Sequence, residues 1–144
     1  MRKTSPSDPK TTKEIGNLGE KLAAEYLEAQ GYSILECNYW EKYGEIDLIA
    51  TKPVSHGTDS AVHFIEVKTV SYETKRDLEY AVSYETWRPE ELVHHFKVNQ
   101  IRKAAETWLM ERNYHGNWQI DVVAMRIVPQ ETFSTANLIE NVTL

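Results

Sequence analysis

Two acidic residues stand where the surrounding sequence is apolar. Asp47 lies inside Gly44-Glu45-Ile46-Asp47-Leu48-Ile49-Ala50 and Glu66 inside Val62-His63-Phe64-Ile65-Glu66-Val67-Lys68, and both runs read as β-strands. A buried or half-buried carboxylate is unfavourable unless it is paired or coordinates a cation. Two carboxylates facing one another suit a hard divalent cation, Mg²⁺ or Mn²⁺, which takes oxygen ligands.

Register decides whether they face one another. Between the runs, Thr51 to Ser60 holds Pro53, His56, Gly57 and Asp59, turn-forming residues that send the chain back antiparallel. A hairpin symmetric about His56 and Gly57 sets Ile49 opposite Phe64, Asp47 opposite Glu66 and Glu45 opposite Lys68. Alternation then puts those six on one face, with Ile46, Leu48, Ala50, Ile65 and Val67 on the other. Directly opposed Cβ atoms are about 5 Å apart, close enough for two carboxylates to share an ion and repulsive without one. A slip of one residue would undo the pairing. For Asp47 and Lys68 alone, an ordinary ion pair on a solvated face is an equal alternative.

The elements that must position these strands follow from periodicity. Ile15, Leu18, Leu22 and Tyr26 recur at spacings of three and four, which predicts a helix over Lys13 to Gln30 ended by Gly31. Ser33 to Trp40 is a short strand ahead of the two acidic ones. Ser71 to His95 is long, charged and aromatic, and reads as a functional or mobile loop or one that contains a short helix. A second helix over Phe96 to Arg112 turns Ile101, Ala104, Ala105, Trp108 and Leu109 inward, and Asn113 to Asn117 breaks it. Trp118 to Val128 is a strand, and the stretch from Leu138 to Val142 lies in a tail with no clear assignment. The order is helix, three strands, helix, strand: an α/β class with a mixed central sheet flanked by helices.

Composition sets the outer bounds. A chain of 144 residues, 41% hydrophobic and 26% charged, can bury a core, so we expect residues 1–12 as a disordered tail and 13–144 as a single domain. A formal charge of −6 argues against coating nucleic acid by bulk electrostatics. Cys37 is alone, which excludes a disulfide framework or a cysteine-rich zinc site and fits a reducing, cytoplasmic setting. No apolar run is long enough to span a membrane, and Met1 to Thr12 lacks a signal-peptide core.

These residues, in this order, resemble the core of the PD-(D/E)XK nuclease superfamily, with Asp47 as the acidic position and Glu66-Val67-Lys68 as the second carboxylate and lysine. More closely, the chain is similar to the YraN-like family of nuclease-related proteins. Gly16-Asn17-Leu18-Gly19-Glu20 matches its opening Gly-x-x-Gly-Glu, Gly31-Tyr32-Ser33-Ile34-Leu35 its Gly-Tyr-x-Ile-Leu, and Gly44-Glu45-Ile46-Asp47-Leu48-Ile49 its hallmark. The likeness continues through Phe64 to Thr69, the Lys97 helix and Trp118 to Val123, and so covers most of the chain. Two arginines frequent in that family are replaced here, by Trp40 and by Val70.

The resemblance implies a restriction-endonuclease-like core and a metal-dependent nuclease that hydrolyses phosphodiester bonds in structured or branched DNA. It implies Asp47, Glu66, Lys68 and Glu20 as catalytic positions, and Asp47, Glu66, Glu20 and Val67 around Mg²⁺ or Mn²⁺. Such a cation activates water and stabilises charge on phosphate. Lys68 would orient the attacking water or contact the phosphate. Lys97, Gln100 and Arg88 are the candidates to touch nucleic acid. The expected partner is DNA, with no membrane and with a homodimer left open.

Blander readings stand beside these. Glu20 alone would be a solvated helix residue and Glu45 an exposed edge residue, and Lys97 and Gln100 are surface positions on spacing alone. His94 and His95 invite a zinc proposal, but adjacent strand residues project oppositely and no partner pair stands at ligand spacing. Tyr72, Tyr80, Tyr84 and Trp87 could stack on unpaired bases, pack the loop down or form a dimer contact. Trp108 and Trp118 read as core. The alternative at the level of function is a non-catalytic nucleic-acid or protein-binding module that retains the nuclease fold.

Overall fold

Strands β1 (Ser33–Glu41), β2 (Gly44–Lys52), β3 (Ala61–Ser71), β4 (Trp118–Val128) and β5 (Phe133–Ile139) join in chain order into one five-stranded sheet. They belong to a computed structural model that describes residues 11–53, 60–84 and 95–142, apart from the side chains of 95 and 96. β3 and β4 run parallel and every other neighbouring pair is antiparallel. A parallel pair needs a long crossover, and this one carries α2 (Lys75–Tyr84) and α3 (His95–Glu111). With α1 (Thr12–Ala29) ahead of β1, the result is the α/β arrangement with a mixed sheet that the element order predicts, consistent with the restriction-endonuclease-like core that the resemblance implies.

Two cores fill the space on either side of the sheet. Beneath α1, Ala23 and Leu27 pack with Tyr32, Leu48, Ala50, Ile65, Val67 and Val123. Beneath α3, Val98, Ile101, Ala105 and Trp108 pack with Ile49, Val62 and Phe64. The inward residues predicted for the second helix are all buried. Trp118 is only half-buried, at the margin of that core, with its ring edge-on to Phe64 at 5.8 Å.

α1 departs from its predicted stripe by one position. Its buried line is Gly19, Ala23 and Leu27, whereas Ile15, Leu18, Leu22 and Tyr26 are half-buried. Small residues win the central line because the helix backbone lies directly on β3: a Cβ at Gly19 would fall on the Thr69 side chain. Both ends of α1 are capped. Thr11 Oγ1 accepts from the Glu14 N–H at 3.1 Å, and Gly31, at φ +97°, lets the Tyr32 N–H reach Leu27 O at 3.0 Å. Thr12, placed in the tail from sequence, is thus the first helical residue, while residues 1–10 lie outside the described ones.

The hairpin register is as expected where it can be read, with Ile49 opposite Phe64 and Leu48 opposite Ile65. One expectation about faces fails. Ile46 shares the α3-side core with Ile49, whereas Leu48 sits on the α1 side. The change of face occurs at Asp47, between the pairs Cys37–Leu48 and Tyr39–Ile46, where the intervening β1 residue, Asn38, has φ +52°. A left-handed residue breaks the pleat, and asparagine tolerates that conformation. The long segment after β3 contains the helix α2, which buries Leu78 and Ala81 and exposes Tyr80 and Tyr84, whose rings are tilted by 40° with centroids 4.8 Å apart. Trp87, His94 and Arg88 lie outside the described residues. The tail supplies β5, an edge strand antiparallel to β4.

Candidate metal centre

The β2–β3 ladder ends at Leu48 and Ile65, one residue short of the acidic pair. Beyond it the Asp47 side chain takes over from the backbone: its Oδ2 accepts the Val67 N–H at 2.8 Å. That bond anchors Asp47 across the opening and aims it toward Glu66. Both carboxylates are buried, at 9% and 5% exposure. Burial pushes the Asp47 carboxyl up from 3.8 to about 8, helped next by the Glu66 charge and then by Glu20, while the Val67 N–H opposes the rise. The two acids are therefore neighbours that cannot both ionise comfortably without a cation.

Glu66 is only half satisfied. Its Oε1 meets Lys68 Nζ at 3.3 Å and Lys97 Nζ at 3.7 Å. Among the described residues no hydrogen bond reaches its buried Oε2, and the polar group beside Glu66 is the Asp47 carboxyl. A buried carboxylate oxygen without a donor is an expensive vacancy in the hydrogen-bond network. The oxygens of Asp47 and Glu66, with the Glu20 charge near enough to be felt at Asp47, are hard donors that would suit Mg²⁺ or Mn²⁺ and no soft metal.

Glu20 arrives because Gly19 allows α1 to lie against β3. It is half-buried, not simply solvated, and Asn38 Nδ2 donates to its Oε2 at 3.0 Å. The same nitrogen donates to Glu45 Oε1 at 2.6 Å, so Glu45 is a half-buried member of the cluster and not the exposed edge residue read from sequence. Asn38 was missed from sequence. Its signal was available, since asparagine is depleted in strands and this one interrupts β1. Val67 joins through its backbone N–H, with its side chain in the α1-side core. Lys97 reaches the site, whereas Gln100, one turn on, is half-buried with no contact to these residues recorded among the described ones.

Comparison with known proteins gives the chain its relatives. The Uncharacterised protein family UPF0102 matches residues 19–125. A UPF0102 protein of Campylobacter fetus is 36% identical over 113 residues, which cover 77% of this chain and 82% of the relative. One from Pelobacter propionicus is 39% identical over 127 residues, 86% of this chain and 80% of that one. A third, from Mycobacterium sp. strain KMS, is 34% identical over 135 residues, 92% and 87%. These names state no activity.

Proposed function

We propose that this chain, which belongs to the uncharacterised protein family UPF0102, the YraN-like family, is a metal-dependent nuclease of the PD-(D/E)XK superfamily. Its reaction is phosphodiester hydrolysis, with structured or branched DNA as substrate. The observation that carries this reading is the buried Asp47–Glu66 carboxylate pair, whose Glu66 Oε2 accepts no hydrogen bond from the other described residues.

Asp47, Glu66 and Glu20 would hold Mg²⁺ or Mn²⁺, with Val67 adjoining. Such an ion supplies Lewis acidity and neutralises charge developing on a phosphate. The chain's own residues do the rest. Val67 fixes the Asp47 rotamer through its N–H. Lys68, 27% exposed at its side chain and 3.3 Å from Glu66, is placed to orient a water or to meet the phosphate. Lys97, 40% exposed and 3.7 Å from the same oxygen, extends the positive lip outward to where a DNA backbone would approach. Lys68 and Lys97 offset the acidic cluster locally in a chain whose net charge is −6.

Two measurements test this reading. Mg²⁺ or Mn²⁺ should raise the melting temperature by mass action on the folded state, and Asp47→Ala should abolish the rise; a melting curve indifferent to both ions refutes the metal centre. Incubation with plasmid, single-stranded and four-way-junction DNA plus Mn²⁺ should give cleavage that is lost in Glu66→Ala and Lys68→Ala. Cleavage unchanged in both variants would trace to a contaminant. The net charge, together with Trp40 and Val70 at positions where arginine is frequent, favours a second reading: a binding module without catalysis. Metal-dependent melting and DNA binding with no cleavage of any of these substrates would select it.

A further inference from the structure

A second cluster of chemically capable side chains lies elsewhere on the sheet. His63 on β3 and Asp121 on β4 are 6% and 0% exposed. They belong to the α1 side by alternation, with Ile65 and Val67 following His63 and Val123 following Asp121. Glu66 has the opposite parity on β3 and lies three residues further along it, so the His63–Asp121 pair is separate from the Glu66 carboxylate. His63 Nδ1 and Asp121 Oδ2 are 2.6 Å apart, and Asp121 Oδ1 accepts from Gln119 Nε2 and from the Asn141 N–H, each at 2.8 Å. Tyr32, fixed by the Gly31 cap of α1, sets its ring edge-on to His63 at 5.1 Å.

A buried histidine–aspartate pair could be a structural hydrogen bond and nothing more. Glu140 changes that balance. One potential ligand atom each from His63, Asp121 and Glu140 lies within 4.8 Å of the other two. Two carboxylates then converge on one imidazole, with the Lys52 ammonium lining the cavity beside them, and a divalent ion would balance them directly. His63 and Glu140 line this cavity of about 310 Å³, together with Tyr32, Lys52 and Gln119. That cavity offers a route in and room for the waters that complete a coordination shell.

We propose that His63, Asp121 and Glu140 form a second cation site, suited to a divalent transition metal of the Zn²⁺ and Co²⁺ class. The donor set is one nitrogen and two oxygens, and imidazole favours these ions over Mg²⁺. Asp121 is already oriented by Gln119 and Asn141, the kind of outer support that metal-binding residues receive. The site ties β3 and β4 to the chain following β5, since Asn141 and Val142 both bond to β4 residues through their N–H groups. A bound ion would thus clamp the C-terminal stretch to the sheet.

The test separates this site from the acidic one by both metal and variant. In full-length Glu66→Gln protein, which weakens the Asp47 centre, Co²⁺ followed by visible absorption and calorimetry should still bind with one nitrogen-containing site. Glu140→Gln, a substitution of an exposed residue that leaves the buried pair in place, should weaken that binding by at least about tenfold, and His63→Gln should remove its spectrum. The Mn²⁺-induced melting shift assigned to Asp47 should be unchanged in Glu140→Gln. Equal Co²⁺ affinity with and without Glu140, or no Co²⁺ binding in Glu66→Gln protein, overturns the proposal and leaves the Asp47 centre untouched. If His63→Gln fails to fold, Glu140→Gln alone decides.

Discussion

Asp47 is the residue whose proton the fold controls most directly, and its pH response has a definite sign. Its carboxyl is pushed up from 3.8 to about 8, first by burial and then by the charges of Glu66 and Glu20. Between roughly pH 4 and pH 8 the folded chain therefore holds a proton that the unfolded chain has lost, and stability falls as pH rises through this window. In the presence of a chelator, the melting temperature should drop from pH 5 to pH 8.5, with a loss on the order of 2 kcal/mol. Asp47→Asn should flatten this profile and melt above the parent at pH 8.5. With Mn²⁺ the trend reverses, because a cation must displace that proton and its stabilising effect grows with pH. Superimposable chelator profiles for the parent and Asp47→Asn would show that Asp47 does not carry the effect. Asp47 and Glu66 were legible in sequence because charge inside an apolar strand is conspicuous. Asn38 offered only the signal of an asparagine within a strand, because its bridge from Glu20 to Glu45 exists only once α1 is docked.

At the scale of elements, the docking of α1 on β3 is what delivers Glu20, and two glycines in one short motif make it testable. Gly16 has nothing within 4 Å of an added Cβ, whereas at Gly19 the Thr69 side chain occupies the place. Gly16→Ala should stabilise the protein by about 0.5–1 kcal/mol through helix propensity and a less flexible unfolded chain. Gly19→Ala should destabilise it by about 1–3 kcal/mol, the usual range for overpacking. It should also shrink the Mn²⁺ melting shift by lifting Glu20 away. Thr69→Ala removes two of the three clashing atoms, so the Gly19→Ala/Thr69→Ala pair should show positive coupling in a double-mutant cycle. Additive losses in denaturant melts would mean that the helix does not lie on β3 through this contact. Helix existence and strand register were readable here, since periodicity and the turn-forming residue types between the two strands specify them. Which stripe of α1 faces inward was not, because large apolar residues on both flanks outweigh a glycine in any count of hydrophobicity. α2 and β5 escaped for a related reason: each is short, and β5 is a half-exposed edge strand held by pairing to β4.

For the molecule as a whole, the electrostatics limit how the proposed DNA substrate would be held. The chain carries −6, and a cavity of about 460 Å³ beside the proposed metal centre is lined by Glu20, Glu25 and Glu28 against one lysine, Lys21, a net acidic wall that disfavours phosphate. On the proposed reading, attraction would then come from a bound cation and the lysines near it, Lys68 and Lys97. Binding to a four-way junction, followed by fluorescence anisotropy, should need a divalent ion. Ca²⁺, which takes the same oxygen ligands, serves as the probe. Each phosphate contact contributes about −0.9 to the slope of log K against log salt, so a contact set this small predicts a slope of roughly −2 to −3 between 50 and 200 mM KCl. Lys97→Ala should reduce its magnitude by about one while leaving substrate preference alone. Strong binding in EDTA with a slope far steeper than this would place the DNA on some other, basic surface. In that case the acidic centre would not be where the duplex is held, and the nuclease reading would lose its geometry.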